Sequence, residues 1–158
     1  WVSSYTREAA EASVMTSSLL TAGYWAALAL GRVISGIYFS RRRDASRLLL
    51  VTVASGGLAS LVLSLSSGNL WIAGAAAFGA GLAFGPIWPA TVAIASEGGE
   101  SSATAATVTM GNAGGLAIPW LQGKVLVGAG PAQGVAVTAA LCVAMFVIVS
   151  GFRLRRGA

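Results

Sequence analysis

The sequence predicts an all-α membrane protein, a polytopic transmembrane helix bundle of five complete spans preceded by a truncated first one. Three observations carry this. Hydrophobic residues make up 56% of the chain and charged residues only 9%, with a mean hydropathy of +0.77. An ordinary soluble domain is about 25% charged, and one of 158 residues could not cover its surface with so few charges. Long stretches carry no charge at all, and a spanning helix needs about 20 apolar residues to cross about 30 Å of hydrocarbon. The charges that remain fall together between those stretches. Because the apolar runs are continuous and do not alternate every second residue, a β-barrel is excluded.

The elements follow in order. Residues 1–13 hold Arg7, Glu8 and Glu11 and read as the tail of a helix leading into a loop. A chain opening at Trp1 is expected to be a fragment of a longer protein. The first complete span is placed at about 17–39. From Leu48 to Ser96 there is no Asp, Glu, Lys or Arg, enough for two spans, about 48–65 and 70–95, divided by the turn signal Ser66-Ser67-Gly68-Asn69. Two further uncharged stretches give spans at about 101–123 and 131–152, the last opened by Gly128, Gly130 and Pro131.

Charge tests this layout. Arg41, Arg42, Arg43 and Arg47 lie between the first two complete spans, and Arg153, Arg155 and Arg156 follow the last. Four spans separate the clusters, so both fall on one side, which the positive-inside rule makes cytoplasmic. A bacterial inner membrane with a cytoplasmic C-terminus is the expected setting. The net charge of +5 is thereby explained by topology and anionic headgroups rather than by nucleic acid.

Several chemistries are excluded. Cys142 is the single cysteine, in an apolar run, and there is no histidine, so neither a disulfide scaffold nor a zinc site is expected. No phosphate loop, catalytic dyad or triad is present. The chain is expected to be no enzyme, with no cofactor.

The segment GYWAALALGRVISGIYFSRRR, Gly23 to Arg43, places Gly31-Arg32 near the cytoplasmic end of a span with Arg41, Arg42 and Arg43 after it. This resembles the loop signature of the major facilitator superfamily. The family's full pattern has an acidic residue in the loop, which only Asp44 could supply. GLAFGPIWPATVAIASE, Gly81 to Glu97, resembles the tenth span of the sugar-porter-like and fucose-permease-like branches. GNAGGLAIPWLQG, Gly111 to Gly123, resembles their eleventh, and WVSSYTRE the end of their seventh. The resemblance implies the carboxy-terminal half of a twelve-span transporter. Its partners would be the lipid bilayer, the missing amino-terminal half and a small-molecule substrate. It further implies alternating access carrying a small neutral polar solute such as a sugar, by proton symport. Efflux of drugs or metabolites by the same fold, or a membrane subunit that transports nothing, are the alternatives. No Asp or Glu lies deep in an expected span, so a coupling carboxylate would belong to the missing half.

Candidate site residues follow. Gly81 and Gly85 form one GxxxG pair and Gly111 and Gly115 another, spacings that let helices approach closely in lipid. Either packing or gating accounts for them. Pro86 and Pro89 interrupt the third complete span, as a kink or as the border of a solute site; Pro119 sits similarly in the fourth. Asn112 inside a span must bond a neighbour or face a watery cavity. Tyr24, Trp25 and Trp88 suit either stacking on a solute or filling a core. Arg32, a charge well inside a span, either snorkels to headgroups or serves an inner gate. Trp1, Trp71, Trp120 and Gln122 fit an interfacial belt.

Overall fold

The computed structural model describes residues 2–41, 44–66, 68–97 and 99–157. Seven helices account for nearly all of it: α1 (Val2–Glu8), α2 (Val14–Ser40), α3 (Ala45–Leu65), α4 (Leu70–Phe84), α5 (Ile87–Ser96), α6 (Ser101–Ala129) and α7 (Pro131–Gly157). No strand occurs among the described residues.

Local chemistry sets the boundaries. Each helix start leaves backbone N–H groups unpaired, and short polar side chains supply the acceptors. Ser13 accepts from Thr16 N, Asp44 from Ser46 N and Arg47 N, and Asn69 from Trp71 N and Ile72 N. Gly130, at φ 103°, ends α6, and Pro131 opens α7, where a missing N–H costs nothing. The turn between α3 and α4 uses Gly68 at φ 84°.

Four helices among the described residues are long and apolar enough to cross a membrane: Val14–Ser40, Ala45–Leu65, the α4–α5 unit Leu70–Ser96, and Pro131–Leu154. This corrects the expectation of five complete spans. α6 exists and is 29 residues long. It falls short in apolarity, because Ser101, Ser102, Thr104, Thr107, Thr109, Asn112, Gln122 and Lys124 interrupt it. The helices also run past the expected bounds at 17–39 and 101–123. Capping residues such as Ser13 and Asp44, rather than the edges of the apolar runs, fix where they start.

The α4–α5 unit is the axis of the bundle. α2 packs on one side of α4 and α3 on the other; α7 packs on α3, and α6 on α7 and α5. The helices thus form an incomplete ring in which no packed interface joins α2 to α6 among the described residues. Two cores fill the interior. Tyr5, Leu63, Ala73, Ala76, Ala77 and Val135 knit α1, α3, α4 and α7. Leu49, Val53, Ala90 and Cys142 knit α3, α5 and α7. Cys142 is a small buried residue. Alanine is the commonest residue in these two cores, and small side chains let backbones approach and pack by dispersion.

Side-chain contacts identify the two ends. At one end Arg153 Nη2 lies 3.3 Å from Asp44 Oδ2, which brings the α2–α3 loop beside the end of α7. Glu100 and Phe152 line a common pocket there. At the other, the Tyr5 hydroxyl donates to Ser66 Oγ at 2.9 Å, and Ser66 Oγ donates to Leu63 O at 2.9 Å. Arg41, Arg47 and Arg153 therefore share one end, as the charge pattern requires.

Asp44 holds two roles that can be separated. Its Oδ1 caps α3, accepting from Ser46 N at 2.8 Å, while Oδ2 meets Arg153 with both side chains about half exposed. A lost cap costs about 1 kcal/mol, and an exposed ion pair contributes about 0.5 kcal/mol or less. Asp44→Ala is therefore expected to lower the thermal midpoint in detergent clearly, and Asp44→Asn, which keeps a capping oxygen, by less than half as much. Equal losses would mean that the ion pair dominates.

Candidate functional site

The α2–α4 crossing is built from glycine. A Cβ placed on Gly85 would strike Leu28 O, with Arg32 N and Gly31 Cα at 2.9 Å; one on Gly31 would strike Leu82 O, and one on Gly81 would strike Tyr24 O. All of these are backbone atoms, so no side-chain rotation relieves the overlap. The helices touch main chain to main chain, which only glycine permits. Gly31, Gly81 and Gly85 are thus one contact, although the sequence pattern pairs only the last two.

Directly after this contact the axis helix breaks. Gly85 and Pro86 separate α4 from α5. Pro86 is the break expected from the sequence. Pro89 is not a second interruption: it sits in the first turn of α5, where no intrahelical N–H bond is lost. Pro119 lies inside α6, which runs on through it.

The break turns Trp88 toward the gap between α2 and α6. Its six-membered ring lies against Gly111, where any Cβ would overlap it. On its other side Trp88 shares an open groove of about 330 Å³ with Arg32, Ser35, Gly36, Phe39 and Pro89. Trp88 remains 41% exposed. It is therefore the floor of the open side of the ring, bordered by α2 on one flank and α6 on the other.

The two flanks are not lipid-like throughout. At about 100° per residue, Ser18, Thr21, Trp25, Arg32 and Gly36 fall on one stripe of α2 about 60° wide. A separate face carries Met15, Leu19, Leu30, Val33 and Ile37, all exposed. So α2 presents an apolar face and a distinct polar-aromatic one. On α6 Gln122 is the one buried residue. Asn112 follows Gly111 about 100° farther round the helix and is exposed. α7 has as little buried surface along its span as α2, yet between Leu141 and Phe152 it exposes mainly apolar side chains such as Val143, Val147 and Ile148, with exposed Gln133 and Arg153 near its ends.

The structure brings Arg32, Trp88 and Gly111 together and puts Trp25 two turns from Arg32 on the same stripe. Tyr24 stands apart. Its carbonyl is at the glycine crossing, and its ring meets Trp25 edge to face at 5.6 Å. Gly115 faces open space, with nothing within 4 Å of a Cβ, so the second GxxxG pair is not a close crossing among the described residues. Arg41 caps α2 and is exposed; Arg42 and Arg43 lie outside the described residues, as does Trp1. Arg32 makes no ion pair among the described residues, so the acidic partner of an inner gate is not among them. Gln122 is corrected from interfacial to buried. Its amide donates to Thr138 Oγ1 in a short bond, joining α6 to α7.

Ser18, Thr21, Ser35, Gly36 and Phe39 were not singled out by sequence reasoning. The first two and Gly36 are detectable as part of the i, i+3, i+7 stripe through Trp25 and Arg32. Ser35 and Phe39 are not, because the α5 wall that makes them a groove is distant in sequence. Comparison of the chain with protein-family models, with curated proteins and with solved structures gave no match in any of the three.

Proposed function

We propose that this bundle is one half of a secondary transporter, set in a membrane with its arginine-bearing end cytoplasmic. It carries a small neutral polar solute by alternating access. The carrying observation is the one-sided polarity of an otherwise lipid-like bundle. α7 exposes mostly apolar surface, with polar Gln133 and Arg153 only near its ends, whereas the open side between α2 and α6 exposes Arg32 and Trp88, with Trp25 on the same stripe of α2, and Asn112 is exposed on α6. Polar groups facing hydrocarbon are costly, so this side borders water or a second bundle.

On this reading the exposed polar and aromatic residues of α2, α5 and α6 have separate tasks. Trp88 and Trp25 offer aromatic faces to the apolar face of a sugar. The Asn112 amide exchanges water for solute hydroxyls. Arg32, with five donors and no ion pair among the described residues, takes an acceptor from solute, water or the opposing half. The Gly31–Gly85 contact is the fulcrum, and the Gly85–Pro86 break places the solute wall beside it.

Uptake of labelled neutral sugars into vesicles holding the full native chain, under an imposed proton gradient, tests this. Asn112→Leu is expected to lower uptake by about tenfold or more, the cost of one lost polar contact to the solute, with normal membrane expression, because Asn112 is exposed. Efflux of lipophilic cations instead would favour the exporter reading. Absence of any flux would leave a subunit that transports nothing.

A further inference from the structure

Apart from the Trp88 groove, a second surface joins charge to an apolar trough. At the arginine-bearing end, Tyr38, Asp44, Arg47, Leu48 and Val51 line an open cleft of about 490 Å³. The Tyr38 hydroxyl donates to the Asp44 carbonyl at 3.2 Å. The Asp44 carboxylate is already engaged, capping α3 and meeting Arg153 at 3.3 Å. The Arg47 guanidinium is exposed and makes no ion pair among the described residues.

Farther down the same helix a groove of about 540 Å³ runs between α3 and α7. Its α3 wall includes Ala54, Leu58 and Leu61. With Arg47 and Val51 these recur at i, i+4, i+7, i+11 and i+14, the spacing of one continuous helix face. The α7 wall carries Ala136, Ala139 and Ala140 together with Val143 and Phe146, and the small alanine side chains leave a trough beside the larger ones. From Arg47 to Leu61 the helix rises about 21 Å, against about 15 Å for one leaflet of a 30 Å hydrocarbon core.

We propose that this surface holds one anionic phospholipid, its phosphate on Arg47 and one acyl chain in the α3–α7 trough. The proposal rests on the membrane-spanning reading above. Charge selects the occupant. A second copy packed here in the same membrane orientation would set its own Arg47 end beside this one, like charge to like. An anionic headgroup neutralises that end, and part of its chain fills a trough of matching polarity. A phosphate anion alone would use Arg47 and leave the trough unused.

The test uses the full chain, extracted in mild detergent and weighed intact with phosphatidylglycerol or phosphatidylcholine added. Phosphatidylglycerol is expected to be retained about fivefold more, and Arg47→Gln to remove that preference, the effect of one arginine at a headgroup. Arg47→Lys keeps most of it. Ala54→Leu, at an exposed position lining the trough, is expected to lower retention of both lipids about tenfold by displacing several methylenes. Each variant is first checked for unchanged elution and helix content. Equal retention of the two lipids, or no response to Ala54→Leu, overturns the proposal. Displacement of the lipid by millimolar inorganic phosphate overturns it in favour of a free anion. A mass of two chains that Ala54→Leu abolishes overturns it in favour of a second copy. Alkaline carbonate extraction of the membranes separates the two readings: release of the chain ends the membrane-spanning one, whereas retention without lipid preference ends this one alone.

Discussion

Gly85→Ala is expected to destabilise the bundle by about 3 kcal/mol, the upper range for overpacking, although alanine is the better helix former by about 1 kcal/mol. The added methyl would meet Leu28 O, Arg32 N and Gly31 Cα, and main chain on both sides leaves separation of α2 from α4 as the only relief. Ordinary overpacking pushes a flexible side chain aside; here there is none to push. Gly31→Ala is expected to act in the same way, and the double variant to cost less than the sum, since both break one contact. Gly115→Ala is the control. Nothing lies within 4 Å of its added carbon, so it should be neutral or stabilising. Thermal unfolding in detergent reads all four proteins. If Gly85→Ala and Gly115→Ala melt together, the α2–α4 crossing is not as described.

Trp88→Ala is expected to lower solute uptake about tenfold or more while leaving the glycine crossing intact, on the scale of a stacking face worth about 1.5 kcal/mol. The ring rests on Gly111 and opens to the Arg32 groove, so its loss removes both a stacking surface and the spacer between α5 and α6. Trp88→Phe retains a face and should retain most of the uptake. The two causes separate through Gly111→Ala. That variant presses on the ring without removing it, and should impair folding where Trp88 is kept and become harmless in the Trp88→Ala background. Uptake unchanged in Trp88→Ala would remove Trp88 from the solute path.

What could be read from the sequence divides along physical lines. The helices were legible because apolar runs, the turn before Asn69 and the Gly130-Pro131 boundary act over a few residues, whereas the starts after the caps Ser13 and Asp44 lie about three residues before the expected ones. Arg41, Arg47 and Arg153 at one end were legible because charge is sparse and each apolar stretch reverses direction. The count of spans was not, because α6 is long enough but mixes Thr, Asn and Gly into its length, and a stretch free of charge is not the same as a stretch that is apolar. The role of Gly31 was hidden for another reason. Spacing finds pairs on one helix, such as Gly81 and Gly85, but not the partner across the crossing. Gln122 illustrates the same limit: nothing local announces Thr138, sixteen residues on, as its acceptor. The groove itself was half legible. Arg32 and Trp88 stand out as costly residues in apolar segments, whereas Ser35 and Phe39 acquire meaning only once α5 folds beside them.

The central claim is that the open side between α2 and α6 borders an aqueous path. Thiol labelling tests it most directly. With Cys142→Ser as the background, Asn112→Cys and Leu58→Cys are compared in sealed membranes holding the full chain, using a membrane-impermeant maleimide. The account predicts rapid labelling at position 112 and its slowing by transported solute. Position 58, on the lipid-facing trough, stays unlabelled until detergent is added. Position 112 as unreactive as position 58 would contradict the account, leaving α6 packed or lipid-facing and the groove without a route for solute.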